Sequence, residues 1–204
     1  MKSMSVSANV SLRMNSENMV LLDSLLSKTE SNIKLIQEFG RAFLCAVLNE
    51  WRYATRHVVS LMMKPGDEEE TRKSVSHLKR AYYDSCDILI DCLLQRIADY
   101  SCEYVGYAGV VALLVPDFNL HTLKVRAAQA AHRKAKSCPP EKREEEYESL
   151  TEHVENLLKF AELLEATKDV WMEDVRKQKS RDRLPIIWTI IGIGVSIVLA
   201  LIFN

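Results

Sequence analysis

Apolar residues recur every three or four positions through most of this chain, the spacing of one face of a helix. Over residues 17–63 the stripe is Leu22, Leu25, Thr29, Ile33, Ile36, Phe43, Val47, Trp51, Ala54, Val58 and Met62. It ends at "KPGDEEE", where Pro65 and Gly66 break a helix and Asp67 is placed to cap the next one. A second stripe over 68–136 runs Val75, Leu78, Tyr82, Cys86, Leu89, Leu93, Ile97, Tyr100, Tyr104, Tyr107, Val111, Leu114. Pro116 interrupts it and should kink or split that helix. A third over 141–183 runs Tyr147, Leu150, Val154, Leu157, Ala161, Leu164, Lys168, Trp171, Val175. Its steps alternate three and four, as in a heptad repeat.

Three helices of these lengths would measure about 65, 105 and 60 Å at the α-helical rise. Joined by short turns, they are expected to lie antiparallel as an elongated three-helix coiled coil. The fold class expected is therefore all-α. Residues 1–16, whose apolar residues alternate weakly with serine, are read as a flexible arm, the alternative being a short amphipathic segment that orders on lipid. They also lack the apolar core of a secretory signal, so the sequon at Asn9-Val10-Ser11 is expected to stay unmodified.

The pattern changes at the C-terminus, "RKQKSRDRLPIIWTIIGIGVSIVLALIFN". From Leu184 to Phe203 there is no charged residue, and the run is long enough to span a bilayer as a helix. Arg176, Lys177, Lys179, Arg181 and Arg183 precede it and no cation follows it. The positive-inside rule then puts residues 1–183 in the cytosol, with 184–204 as a tail anchor. The same cations would contact anionic headgroups. Within the span, Gly192, Ser196 and Ala200 repeat at four-residue intervals, a small-residue face suited to close helix packing.

Composition supports the helical reading and adds exclusions. Gly (6) and Pro (5) are scarce, and the net charge of −1 offers no signature for nucleic acid. The five cysteines are scattered without a metal-binding spacing and read as reduced thiols. His57, His77, His121, His132 and His153 are expected on helix surfaces, at no spacing that forms a catalytic dyad. There is no phosphate-binding loop, nucleophile elbow or HExxH. The run Glu144-Glu145-Glu146 reads as a solvated helix start. No enzyme activity, cofactor or metal is expected.

Several blocks, taken in order, resemble the BAR domains of sorting nexins. They are "LLQRIADYSCEYVGYAGVVALL", "LHTLKVRAAQAAHRKAKS", "PPEKREEEYESLTEHVENLLKF" and "VWMEDVRKQKSRD", within residues 17–183. The resemblance implies a dimer, homomeric or heteromeric, that lays a basic face on curved anionic membrane. The matching cations flank the turn between helices two and three: Lys124, Arg126, Arg133, Lys134, Lys136, Lys142 and Arg143. The chain departs from the family in having no lipid-binding PX module before the helices. Its third helix is also cut short, giving way at Leu184-Pro185 to the anchor.

The expected function is therefore a tail-anchored scaffold that binds, senses or shapes curved anionic membrane in vesicle or endosomal sorting. The endosomal and secretory pathway is favoured over the mitochondrial outer membrane. The alternative is a tail-anchored helical protein, SNARE-like or apoptosis-regulator-like, that binds a partner's helix. Leu94, Ala98 and Asp99 fit the short helix motif of apoptosis regulators. The heptads before the anchor are SNARE-like in position but lack a central glutamine or arginine layer.

Overall fold

The computed structural model describes residues 16–39, 44–64, 66–103 and 108–202, and from residue 178 onward the backbone alone. All regular structure among the described residues is helical. The elements are α1 (Ser16–Phe39), α2 (Cys45–Met63), α3 (Glu68–Glu103), α4 (Ala108–Leu114) and α5 (Phe118–Ser137). A single 3-10 turn over Pro140–Lys142 leads into α6 (Arg143–Ile202). The expected arm lies outside the described residues, as do Phe43, Tyr104 and Tyr107.

The α2–α3 turn forms as its residues dictate. Gly66 takes φ of 91°, in the region only glycine enters freely. The Asp67 carboxylate accepts hydrogen bonds from the Glu69 and Glu70 amides at 3.1 and 3.2 Å. Three acidic residues then fill the first turn of α3, where the helix dipole favours them.

At Pro116 the second segment is split, the second of the two outcomes expected there, and its described residues form α3, α4 and α5. α4 ends at Leu114, two residues short of Pro116, whose ring clashes with the carbonyl four residues back. Asp117 then adopts a left-handed conformation (φ 55°, ψ 29°), and α5 starts in a new direction. It runs back beside α3, bringing His132 within 2.8 Å of Asp87. The expected elongated three-helix coil is thus replaced by a shorter bundle, because the break at Pro116 reverses the chain rather than bending it. The longest helix confined to the bundle, α3, measures about 54 Å.

α3 is the spine. α1, α2 and α6 pack directly on it, and α5 packs mainly on α6. Pairings along the helices give their directions. Lys79 with Glu144 and Arg96 with Glu165 make α6 parallel to α3. Glu50 with His77 and His57 with Glu70 make α2 antiparallel to it. Lys124 with Asn156 and Lys134 with Glu146 set α5 antiparallel to α6.

The buried stripe follows the apolar periodicity. Leu78, Leu89, Leu93, Leu150, Leu157 and Leu164 are all within 2 % of full burial. Each such side chain is worth roughly 1.5–3 kcal/mol over leaving it in water. On α2 the buried set is Val47, Ala54 and Leu61, seven residues apart. Met62, expected inside, is exposed. Lys168, a polar residue within the third seam, is accommodated by placing its ammonium 5.3 Å from the Tyr100 ring centre.

α6 is one helix of 60 residues and continues through Pro185. Residue 184 is therefore not a helix boundary. The last described side chain of α6 packed on the core is Met172. Among the described residues no helix is long and apolar enough to cross a membrane. The side chains of the expected span, 184–204, lie outside that set.

Candidate functional site

The cations expected around the α5–α6 turn fall into three groups. Lys124 is half-buried and donates to the Asn156 side-chain oxygen at 2.7 Å. Lys134 pairs with Glu146 at 2.7 Å, and that carboxylate holds its ammonium above the usual lysine range. Lys136 lies 3.8 Å from the Asp87 carboxylate. Arg126, Arg133 and Lys142 are exposed and make no ion pair among the described residues. Arg143 opens α6 and is half-buried. The turn is thus not a uniform basic tip, since Glu141, Glu144 and Glu145 share its exposed surface.

Five of these seven cations are on α5, where Arg126 and Arg133 are the exposed ones outside an ion pair among the described residues. Its twenty residues include five Lys or Arg and no Asp or Glu. The inward face is Val125, Ala128, Ala131, His132 and Ala135, packed on the core. Leu120 and Leu123 stay 50 and 59 % exposed, with Leu113 of α4 at 88 %. Arg126, Ala130 and Arg133 continue the exposed side at helical spacing from Leu123. α5 therefore offers leucines at one end of its outer face and arginines at the other.

The cations that precede the apolar run are a separate feature. Arg176 is exposed, and Lys177 pairs with Glu173 at 2.8 Å. The side chains of Lys179, Arg181 and Arg183, and of Gly192, Ser196 and Ala200, lie outside the described residues. Arg143 and Arg176 are 33 positions apart on one helix, which is about 50 Å. The structure does not bring the two cationic groups together.

Two histidines expected on the surface are inside. His132 is 5 % exposed, its Nε2 donating to Asp87 at 2.8 Å. The Tyr147 hydroxyl donates to the same carboxylate oxygen at 3.0 Å. His121 is 7 % exposed, stacked on Phe160 with ring centres 4.9 Å apart. Burial holds its imidazole below the ordinary histidine value. The sequence did carry a signal for both. His121, Val125, Ala128, His132 and Ala135 form a stripe with steps of four, three, four and three.

On the opposite side of the bundle, His57 and His77 stack at 5.3 Å, each ring bonded to a glutamate. No group of three or more metal-ligating side chains converges among the described residues. All five cysteines are free. Leu94, Ala98 and Asp99 sit on α3, with only Leu94 packed on the core.

No protein-family model, curated protein or solved structure matches this chain.

Proposed function

We propose that this chain is a membrane-anchored helical bundle that binds anionic bilayers through the outer face of α5. The observation that carries the reading is a twenty-residue helix with five cations, no acidic residue and exposed leucines. Such a helix suits the interface between headgroups and acyl chains, with apolar side chains inserted and cations among anionic lipids. Arg126 and Arg133 contribute roughly 2 kcal/mol near an anionic surface. Inserting the exposed parts of Leu120 and Leu123 adds about 2 kcal/mol more. A total near 4 kcal/mol corresponds to only millimolar affinity.

Contact this weak needs a second membrane signal, and the apolar run 184–203 supplies one. Its tether turns α5 binding into an event at high local concentration. For α5 to reach the bilayer that holds the tail, this reading requires α6 to bend after Met172. Pro185, which cannot donate to the carbonyl four residues back, is the second residue of the apolar run and is where the bend is expected. The cytosolic placement of residues 16–183 and a role in vesicle or tubule sorting belong to this proposal. The BAR-type crescent is not needed for it, since α5 works as a face of a short bundle.

The test is co-sedimentation of residues 1–183 with vesicles, after circular dichroism confirms helicity. Binding should rise with the fraction of anionic lipid and fall as salt shortens the Debye length. Failure to bind at any lipid composition would sink the proposal.

The second reading is a surface for a partner's helix, favoured by α2. Leu48, Val59, Met62 and Met63 are 51, 52, 60 and 81 % exposed on a helix that, among the described residues, packs mainly on α3. Substituting Val59 and Met62 by Ser would weaken helix binding and leave vesicle binding intact.

A further inference from the structure

A cleft of about 230 Å³ opens where α3, the end of α5 and the start of α6 meet. Arg80 and Tyr83 line it from α3, Lys136 from α5, and Arg143 and Tyr147 from α6. A second cavity of about 230 Å³ shares Arg80, Tyr83 and Arg143 with the first. The same three side chains therefore border both.

The charges here do not cancel. Among the described residues neither Arg80 nor Arg143 makes an ion pair. Two acids, Asp84 and Asp87, also reach the cleft. Asp87 accepts from His132 and Tyr147 and lies near Lys136. Burial, then the nearby charges of Asp87 and Glu50, push the Asp84 carboxyl above its ordinary value, and Arg80 opposes the shift. The first-turn acids of α6 point their charge elsewhere, Glu144 to Lys79 and Glu146 to Lys134. Three cations, Arg80, Lys136 and Arg143, and two carboxylates, Asp84 and Asp87, line this one space, an excess of one positive charge.

Tyr83 adds a neutral donor. Burial pushes its hydroxyl up to about 12, so it keeps its proton throughout the physiological range. Its ring lies against Tyr147, centres 4.5 Å apart, which gives the cleft an aromatic wall.

We propose that this cleft binds a phosphate monoester, with Arg80 and Arg143 gripping the phosphate, Lys136 completing its charge and Tyr83 donating to an oxygen. Guanidinium groups match the geometry of phosphate oxygens and bind them in pairs of hydrogen bonds. The volume leaves room for a small group beside the phosphate, against the tyrosine wall. The site is distinct from the outer face of α5 and stands or falls independently of it.

The chemistry could come from a soluble metabolite or from a lipid headgroup, and one experiment separates them. The full chain is held in uncharged detergent micelles, and its thermal midpoint is followed by circular dichroism. One arm adds glycerol 3-phosphate against sodium chloride of equal ionic strength; the other dopes the micelles with phosphatidic acid. At a hundredfold excess over half-saturation the midpoint should rise by about 5–10 °C. A rise with glycerol 3-phosphate identifies a soluble ligand; a rise with phosphatidic acid alone identifies the headgroup. Either rise should vanish in R80Q/R143Q and shrink in Y83F, which keeps every charge. No rise with either probe overturns the proposal, and so does an equal rise in R80Q/R143Q. Should that variant not melt cooperatively, an unchanged rise in Y83F overturns it.

Discussion

His132 of α5 donates from Nε2 to the Oδ1 of Asp87 on α3 at 2.8 Å, across 45 positions of sequence. Along one uninterrupted helix these residues would be about 68 Å apart. The bond therefore marks the reversal of the chain after Pro116 and ties α5 to the spine of the bundle.

Removing one partner should be costly. His132→Ala leaves the half-buried Asp87 without its main donor, and Tyr147 alone continues to donate. Losing one of two hydrogen bonds to a half-buried carboxylate costs about 1–3 kcal/mol. The expected result is a midpoint lower by about 3–8 °C in thermal denaturation. Y147F should cost less, and the H132A/Y147F double variant should be non-additive because both act on one carboxylate. No loss in H132A would mean that α5 does not lie on α3.

Asp117 tests the turn itself. Its left-handed conformation costs an L-residue roughly 1–2 kcal/mol and costs glycine nothing. Asp117→Gly should be neutral or slightly stabilising, and Asp117→Val destabilising by about 1–2 kcal/mol relative to it. Equal stability of the two in urea denaturation would contradict the reversed turn.

His121 makes stability depend on pH. Burial, the dominant effect, and the charges of Lys124 and Lys159 lower its value in the folded state. The unfolded chain then binds the proton more readily, so stability rises with pH in this range. The contribution is present above the ordinary histidine value near 6.5 and is lost as pH falls through the lowered folded value. Midpoints measured from pH 7.5 to 5 should decline for the native chain. In H121F, which keeps the stack on Phe160, the decline should be shallower. The same decline in both would assign the effect to other groups.

Much of this architecture was legible in the residues. The stripes through Leu78, Leu93, Leu150 and Leu164 are the core, and Asp67 caps α3 as "KPGDEEE" indicated. Periodicity is a local property, however, and it does not register where a chain goes after a break. Pro116 is compatible with a kink or a reversal, and the choice is set by a contact as distant as His132 with Asp87. The same limit applies to charge. Lys134 and Lys136 look free in sequence, yet acids on other helices, Glu146 and Asp87, stand beside them. Arg80 gave no signal on α3 until the fold placed Arg143 and Lys136 around the same cleft.

Membrane binding through α5 is most directly tested by reversing the same number of charges at two different places. R126E/R133E reverses two cations on the outer face of α5, and R52E/R56E reverses two exposed cations of α2. Both variants have the same net charge, so a general electrostatic attraction would weaken equally in the two. Co-sedimentation of each with anionic vesicles, in residues 1–183 and at fixed salt, is expected to show binding abolished in R126E/R133E and nearly unchanged in R52E/R56E. Equal loss in both, or binding retained in R126E/R133E, would contradict a membrane face on α5.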